Sequence, residues 1–454
     1  MEKRKTAAVI LAAGMGTRMK SRLPKVLHPI AGRPMLHHLL DTVKEVGFDR
    51  VVVVAGPEMP AVVEAVKPHA CVIQKERLGT GHAVAQAREA LADFDGDVMV
   101  LYGDTPLMTA ETMERILAAR RQDPEPAVVV LGFRPRDPGA YGRLVTEGDG
   151  ETGALEAVVE FKEATPAQRR IGLCNSGVLA AERRRLFALL ERVGNDNAKG
   201  EYYLTDVVAL ARADGSPCRF VSAEEAECLG VNSRQDLAMA ESIAQDRLRR
   251  AAMEAGATLI DPSTVHFSYD TRLGQDVVVH PFVVFGPGVT VADGVTIKGF
   301  CHFEETTVAR GAIVGPYARL RPGAEIGEEA HVGNFVEVKK ATVEAGAKVN
   351  HLSYIGDGRV GAGANIGAGT IFCNYDGFTK AFTDIGAGAF IGSNSALVAP
   401  VTIGAGAAVG AGSVITRDVS ADALAVARGT QMEMSGWAAI HRAKKQAEHD
   451  KGKK

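Results

Sequence analysis

Long apolar runs are missing from this 454-residue chain. No stretch of 18 consecutive apolar residues occurs, so no segment is expected to span a membrane. Cysteine is sparse and scattered. The six residues form no C-x-x-C pair, which argues against a disulfide framework and against a zinc site. A reducing, cytoplasmic setting follows as the expectation. Excess charge is also lacking: a net −3 gives no reason to expect a nucleic-acid surface. The start of the chain is basic and leads into apolar Ala7 to Ala13, but Gly14-Met-Gly-Thr-Arg-Met reads as a strand entering a functional loop rather than as a signal sequence. The length is too great for one ordinary core and predicts two or three domains.

What is present is a spacing. From Leu273 to Ile415 an aliphatic or aromatic residue recurs at almost every sixth position, as in Leu273, Val279, Phe285, Val291, Ile297 and Phe303. A period of six fits neither an amphipathic helix nor an alternating strand. It marks a parallel β-helix in which each hexapeptide is one flat rung. Small residues between the anchors, as in Ile403-Gly-Ala-Gly-Ala-Ala, suit tight corners. Three rungs per coil give about eight coils. The largest interruption lies between Phe372 and Ile385 and inserts a loop that contains Asn374-Tyr375-Asp376-Gly377. Insertions of this kind map to surface loops, often binding ones.

The first part of the chain alternates apolar strand runs (Ala7–Leu11, Val51–Ala55, Cys71–Ile73, Val98–Tyr102, Ala127–Leu131) with helical patterns (Met35–Val46, Gly81–Leu91, Glu111–Arg120). That alternation predicts an α/β, Rossmann-like domain with a mostly parallel sheet. Ligands bind such sheets beyond the carboxyl ends of the strands. A connecting helix is expected from about Arg234 to Ala255, started by Ser233 with Asp236 and stopped at Gly256. The expected organisation is 1–232 for the α/β domain, 233–256 for the helix, 257–428 for the repeats and 429–454 for a solvated, poorly ordered tail.

The loops after the strands carry chemistry. Val9-Ile-Leu-Ala-Ala-Gly-Met-Gly-Thr-Arg-Met is a strand running into a Gly-rich loop. Gly14 and Gly16 let backbone N–H groups approach a phosphate, and Arg18 adds charge. The loop lacks the third glycine of a dinucleotide fingerprint and the Gly-Lys-Ser/Thr of a P-loop, so both readings fail. Lys25, in Leu-Pro-Lys-Val-Leu, can meet a polyphosphate; alone it would be a surface lysine. Asp104, in Leu-Tyr-Gly-Asp-Thr-Pro, can ligate Mg²⁺ beside phosphates; alone it would be a helix cap.

In the repeats, polar residues cluster. Arg321 and Lys339 are one coil apart and form a cationic patch fit for a phosphate. His351 lies nearby with Tyr354. A lone rung histidine is most often bonded to a neighbour, but beside phosphate-type donors and the inserted loop it suits a general base. His331 is the rival candidate.

Together with Tyr141-Gly-Arg, Val159-Glu-Phe-Lys-Glu-Ala-Thr, Asn175-Ser-Gly, Gly200-Glu-Tyr-Tyr-Leu-Thr-Asp and Gly230-Val-Asn-Ser-Arg, the N-terminal loops resemble the sugar-phosphate nucleotidyltransferases over most of residues 6 to 232. The whole chain resembles the bifunctional bacterial N-acetylglucosamine-1-phosphate uridyltransferase/glucosamine-1-phosphate acetyltransferase family. That resemblance implies UDP-N-acetylglucosamine synthesis for peptidoglycan and lipopolysaccharide. It implies that Leu11, Ala12, Ala13 and Gly14 hold the nucleotide and that Gln74, Gly79 and Thr80 read the uracil. Tyr102 and Gly103 would line the sugar site, with Gly142, Glu160 and Asn175 on the N-acetylglucosamine. Asp104 and Asn232 would bind Mg²⁺, and Arg18 and Lys25 would neutralise the triphosphate. In the repeat domain it implies His351 as base, with Arg321, Lys339, Tyr354 and Asn365 on the sugar phosphate. Ala368, Asn374, Tyr375, Ser393, Ala411 and Arg428 would contact acetyl-CoA. Family members coil left-handed and form homotrimers that share this second site.

Two other readings compete. One is a nucleotidyltransferase for another NDP-sugar whose β-helix is regulatory, as in ADP-glucose pyrophosphorylase; Asn350-His351 and the Asn374-Tyr375 loop argue against it. The other is a non-enzymatic protein that pairs the same two folds; intact Gly14-x-Gly-Thr-Arg, Lys25 and Asp104 argue against that.

Overall fold

The computed structural model describes residues 4–148 and 150–451. The basic start Met1–Lys3 and the end Gly452–Lys454 lie outside the described residues. The chain divides into two compact units. One reaches to Arg250 and includes Phe267–Tyr269; the other comprises Ala251–His266 and the chain from Asp270 onward.

The first unit is built on a nine-stranded sheet. Its order is Ala70–Ile73, Arg50–Ala55, Thr6–Leu11, Asp97–Tyr102, Cys174–Glu182, Val128–Phe133, Cys218–Ala223, Thr152–Val159, Arg143–Thr146. Alternate residues of one strand feed different cores. Ala7 and Val9 pack into one cluster, Ala8 and Ile10 into the other, and all four are fully buried. Burial on both faces is why the strands read as unbroken apolar runs. The first four strands pair in parallel with one another. Cys174–Glu182 runs antiparallel to both its neighbours, and the edge pair Arg143–Thr146 and Thr152–Val159 is an antiparallel hairpin. The second half is therefore mixed: Cys218–Ala223 still pairs parallel with Val128–Phe133, and only the edge pair is joined as a hairpin. The segment expected as one helix over Gly81–Leu91 splits into Thr80–Ala85 and a short turn at Glu89–Leu91. Between them the backbone tightens to three-residue hydrogen bonds, Gln86 to Ala83 and Arg88 to Ala85.

The helix Arg234–Glu254 starts on a reciprocal cap. The Asp236 carboxylate accepts from the Ser233 N–H at 2.9 Å, while Ser233 Oγ accepts from the Asp236 N–H at 3.2 Å. Gly256, at φ 103°, follows its end.

The second unit is a three-faced parallel β-helix. The first face stacks strands such as His331–Asn334, Lys348–His351 and Asn365–Ile366, and it is ten strands long. It therefore runs past the repeat at both ends, to Thr258–Leu259 and to Leu424–Ala425. Arg319–Leu320 and Ile371–Cys373 belong to the second face, Ala324–Ile326 and Thr383–Ile385 to the third. Glu337–Val343 and Tyr354–Val360 bend across both. The hexad anchors point inward: Val279, Ile297, Phe303, Val338 and Ile355 are fully buried. Each such side chain contributes about 1.5–3 kcal/mol relative to exposure. The register between coils is 18 residues at Leu320↔Val338 but 17 at Val338↔Ile355, because one corner there is a residue shorter.

Small residues do not fill every corner. At the corner between the first and second faces, Phe282, Phe300, Tyr317 and Phe335 all have φ between 55° and 62°. Their rings stack at centroid distances of 4.8 to 5.1 Å, and each ring is about half exposed. Left-handed backbone costs a non-glycine residue about 1–2 kcal/mol, and a ring stack returns about 0.5–1.5 kcal/mol, so the ladder gains little within one chain.

The insertion forms a compact loop. Asp376 accepts from the Phe378 and Thr379 N–H groups at 2.8 and 2.6 Å, and Tyr375 bridges Lys380. The tail is not irregular throughout. Trp437–Lys451 is an exposed helix, as its Ala, Lys, Gln and Glu content favours.

Gly358 tests the coil packing. It is buried, and a Cβ there would lie 2.6 Å from the Thr383 carbonyl oxygen and 2.8 Å from the Phe372 ring. Gly358→Ala should destabilise the β-helix by about 1–3 kcal/mol in urea unfolding. An unchanged midpoint would show that the coils separate freely.

Candidate functional site

The first unit gathers its loops at the carboxyl ends of the parallel strands. Thr6–Leu11 delivers Ala12, Ala13 and Gly14; Asp97–Tyr102 delivers Gly103 and Asp104. These loops enclose a cavity of about 250 Å³ lined by Leu11, Ala12, Ala13, Gly14, Lys25, Gln74, Gly79, Thr80, Tyr102 and Asp104. Gly103 sits directly against it: a Cβ there would be 3.3 Å from the Leu11 carbonyl oxygen. Gln74 is buried, with its side-chain amide donating to the Gly79 carbonyl at 3.2 Å. Thr80 Oγ accepts from the Leu204 N–H at 3.0 Å.

At one wall, three polar groups converge. The Lys25 ammonium donates to the Asp104 carboxylate and, at 2.9 Å, to Asn232 Oδ1. Asp104 and Asn232 are far apart in sequence. A backbone bond from Val231 N–H to the Asp104 carbonyl, 2.8 Å, clips their segments together. Gly16 lets Lys25 reach this wall, since a Cβ at residue 16 would lie 2.6 Å from Lys25 Cβ, and φ there is 62°.

Gly142, Glu160 and Asn175 form a second group. The Asn175 N–H donates to the Gly142 carbonyl at 2.9 Å, and Glu160 borders Gly142. Asn175 Oδ1 accepts from the Gly177 N–H at 2.9 Å, and Gly177 lies against the Tyr102 ring. The trio thus adjoins the cavity through Tyr102. Burial holds the Glu160 carboxyl above its usual range. Burial also raises Asp206, to about 6, helped by Glu163 and Glu160.

Arg18 stands apart. It is exposed on the turn Thr17–Met19 and is absent from the cavity lining. Arg77, Val26, Ala83 and Glu201 line the cavity without having been singled out. The Arg77 side chain donates to the Ala13 carbonyl at 2.8 Å and pairs with Glu58.

In the β-helix, the register sorts the polar residues onto two edges. Asn334 and His351 pair at the corner between the first and second faces. Backbone bonds continue that column. Gly369 N–H donates to the His351 carbonyl, Asn394 N–H to Ala368, Gly412 N–H to Ser393, and the Arg428 guanidinium to Ala411 at 2.7 Å. His351, Ala368, Ser393, Ala411 and Arg428 therefore share one edge. His351 Nδ1 lies 2.7 Å from Asn334 Oδ1. An amide oxygen only accepts, so Nδ1 carries the proton and Nε2 keeps its lone pair. His331 sits three residues before Asn334, inside the first face, where burial and then Lys298 and Lys348 lower its pKa.

Arg321, Lys339 and Tyr354 lie on the second face. Arg321 donates to Glu337 Oε1 at 2.8 Å, and Glu337 pairs with Tyr354 across the coils. Lys339 has a cationic neighbour that the sequence did not suggest, Lys380 of the inserted loop. Lys380 first, and then burial and Arg321, hold the Lys339 ammonium below its usual value. Asn374 donates to Asp357 Oδ2 at 2.5 Å at the far end of this face, and Tyr375 donates to the Gly377 carbonyl at 2.6 Å. Asn374 and Tyr375 thus stand at the corner opposite Ala368, Ser393 and Ala411. From His351 to Gly356, across the second face, is five residues, or about 16 Å of strand. Asn365 lies on the first face, away from Arg321 and Lys339. Asn334, Glu337 and Lys380 could have been found by counting one coil back from His351 and Tyr354 and by reading the insertion for charge.

Comparison with known proteins agrees with both units. Residues 8–205 match the MobA-like NTP transferase domain, and residues 382–417 match the bacterial transferase hexapeptide of six repeats. The chain is thus a two-part transferase, a nucleotidyltransferase followed by a left-handed hexapeptide β-helix. It is 66% identical over 451 residues to the Bifunctional protein GlmU of Paramagnetospirillum magneticum, covering 99% of this chain and 100% of that one. The Bifunctional protein GlmU of Rhodospirillum rubrum is 66% identical over 439 residues, 97% of this chain and 98% of its own. That of Azorhizobium caulinodans is 59% identical over 447 residues, 98% of each. The chain belongs to the GlmU family. It is a bifunctional enzyme of UDP-N-acetylglucosamine biosynthesis, with acetyltransferase and uridyltransferase activities on small-molecule substrates.

Proposed function

We propose that the cleft of the first unit is the uridyltransferase site and that the polar edges of the β-helix form the acetyltransferase site. The observation that carries the first assignment is the convergence of Lys25, Asp104 and Asn232 at the wall of a cavity floored by the Gly-rich loop. UTP would lie along Leu11 to Gly14 with its uracil at Gln74, Gly79 and Thr80. N-acetylglucosamine-1-phosphate would rest on Gly142, Glu160 and Asn175. Its phosphate oxygen attacks the α-phosphorus, a new P–O bond forms, and the bond to pyrophosphate breaks in line. This displacement needs positioning and charge neutralisation rather than a protein nucleophile. Lys25 supplies charge from the wall, and Arg18 from its exposed turn.

Mg²⁺ fits the donor set. One carboxylate and one amide oxygen already converge on a cation, the Lys25 ammonium. No group of three or more His, Cys, Asp or Glu able to hold a metal occurs among the described residues. Two protein oxygens completed by phosphates and water match how Mg²⁺ is bound, and the ion would neutralise charge on the phosphates.

In the second site, His351 Nε2 accepts a proton as the amine of glucosamine-1-phosphate attacks the acetyl-CoA thioester carbonyl, and the CoA thiolate leaves. Arg321, Lys339 and Tyr354 would hold the sugar phosphate, and Asn365, on the first face, would reach it from a second copy of the chain. Acetyl-CoA would meet Ala368, Ser393, Ala411 and Arg428 on one edge and Asn374 with Tyr375 on the other. The separation of those two edges supports a homotrimer whose copies share each site. The half-exposed aromatic ladder on the His351 edge supports the same reading, as exposed apolar patches mark association surfaces. Among the described residues no helix is long and apolar enough to cross a membrane, and all six cysteines are free. We place the enzyme in the cytoplasm.

Mass spectrometry of products from glucosamine-1-phosphate, acetyl-CoA, UTP and Mg²⁺ tests the assignment. His351→Ala should lose acetylation yet still uridylate supplied N-acetylglucosamine-1-phosphate, and Asp104→Ala should stop at that intermediate. Loss of both steps in either variant would sink the two-site reading. The ladder predicts that Tyr317→Glu dissociates the trimer in light scattering and abolishes acetylation while uridylation persists; a trimeric variant would remove the ladder from the interface. The Lys339–Lys380 pair predicts a pH effect. A lysine whose pKa is lowered loses its charge at a lower pH than usual. KM for glucosamine-1-phosphate should therefore climb early on the alkaline side. In Lys380→Met the climb should move to higher pH, and an unmoved profile would exclude this coupling.

A further inference from the structure

The Lys25 ammonium sits on the two oxygens assigned above to the metal. It bonds the Asp104 carboxylate directly and lies 2.9 Å from Asn232 Oδ1. This contact is enclosed, with the Lys25 side chain 11% exposed and Asp104 20%. The oxygens are held by their own backbones. Val231 N–H ties the Asp104 carbonyl, the Asn232 N–H donates to Asp236 Oδ2 at 3.0 Å, and the Asn232 amide donates to the Gly230 carbonyl at 3.2 Å. The lysine is the movable partner. Its backbone is fixed in the turn Lys25–Leu27, but its four-carbon stem can swing.

A divalent ion needs these oxygens at about 2.1 Å, and an ammonium cannot remain beside it at hydrogen-bond range. The lysine must therefore leave before the ion can enter. Lys25 also lines the cavity that contains Gly14 and Thr80, so a triphosphate bound there is its nearest alternative anion. We propose that Lys25 is the resident cation of the metal site and yields Asp104 and Asn232 to a divalent ion only when a triphosphate is present to receive its charge. This rests on the reading that Asp104 and Asn232 hold the ion. Its consequence is positive coupling: the free enzyme takes up the ion poorly, and ion and nucleotide arrive together. Lys25 thus has two partners in one turnover, a carboxylate at rest and a phosphate in the complex.

The test is Mn²⁺ binding to the full chain without nucleotide, read by the electron paramagnetic resonance of free Mn²⁺. Lys25→Met should bind Mn²⁺ about tenfold more tightly than wild type, within the usual range of coupling between sites. Lys25→Gln, which keeps a polar side chain, should show the same direction if Lys25→Met folds poorly. Equal or weaker binding in both variants would overturn the proposal. Adding Asp104→Asn to Lys25→Met should abolish the gain. Tight binding that survives this second change would mean instead that Asp104 is not the ligand, and the metal assignment itself would fall.

Discussion

Parallel pairing is the constraint on which both units depend. A strand can pair in parallel with a neighbour only after the chain has returned to the same end of the sheet. In the first unit helices make that return, so the loops after Thr6–Leu11 and Asp97–Tyr102 all emerge at one edge and form a cavity. In the second unit the return is made by two further strands, so corners line up in columns. His351 and Asn334 meet for that reason alone. Where the first sheet turns antiparallel, the loops no longer share an edge, and the Gly142, Glu160 and Asn175 group joins the cavity only through Gly177 and Tyr102.

Charge is balanced at the cavity wall and left uncompensated on the β-helix. At the cavity wall one ammonium faces one carboxylate and one amide, while the Gly-rich loop offers further N–H groups. On the β-helix Arg321 is balanced by Glu337, but Lys339 faces Lys380. Two like charges side by side cost stability unless an anion joins them. Lys380 is the first cause of the lowered Lys339 ammonium pKa, which is that cost expressed at one residue. The inserted loop therefore does more than extend the surface, since it brings one of the cations.

Some of the site was legible and some was not, for physical reasons. Gly14, Lys25 and Asp104 were legible because a loop after a buried strand has few chemical uses. Arg18 read as a phosphate ligand because of its neighbours in sequence, and the structure leaves it exposed on the turn Thr17–Met19, outside the cavity lining. Arg77 was invisible, since its role is to hold the Ala13 carbonyl of a distant loop. The aromatic corner ran against the rule that tight corners want small residues. That rule weighs backbone strain alone, and ring stacking offsets much of it.

The sequence alone determined the two-part plan. A period of six residues can be satisfied only by rungs with one buried anchor each, and apolar runs alternating with helical patterns require a sheet covered on both faces. Those are local and periodic properties, readable in order along the chain. Tertiary structure alone decided which polar groups meet: Lys25 with Asn232, Lys339 with Lys380, His351 with Asn334, and Ala368, Ser393 and Ala411 on the corner opposite Asn374 and Tyr375. Such meetings depend on register and on one-residue differences in coil length. A shift of a single residue at the corners before Val343 or Val360 would move every later side chain along its face; the five-residue spacing from Val338 to Val343 and from Ile355 to Val360 marks those corners in the sequence, but not which side chains meet there.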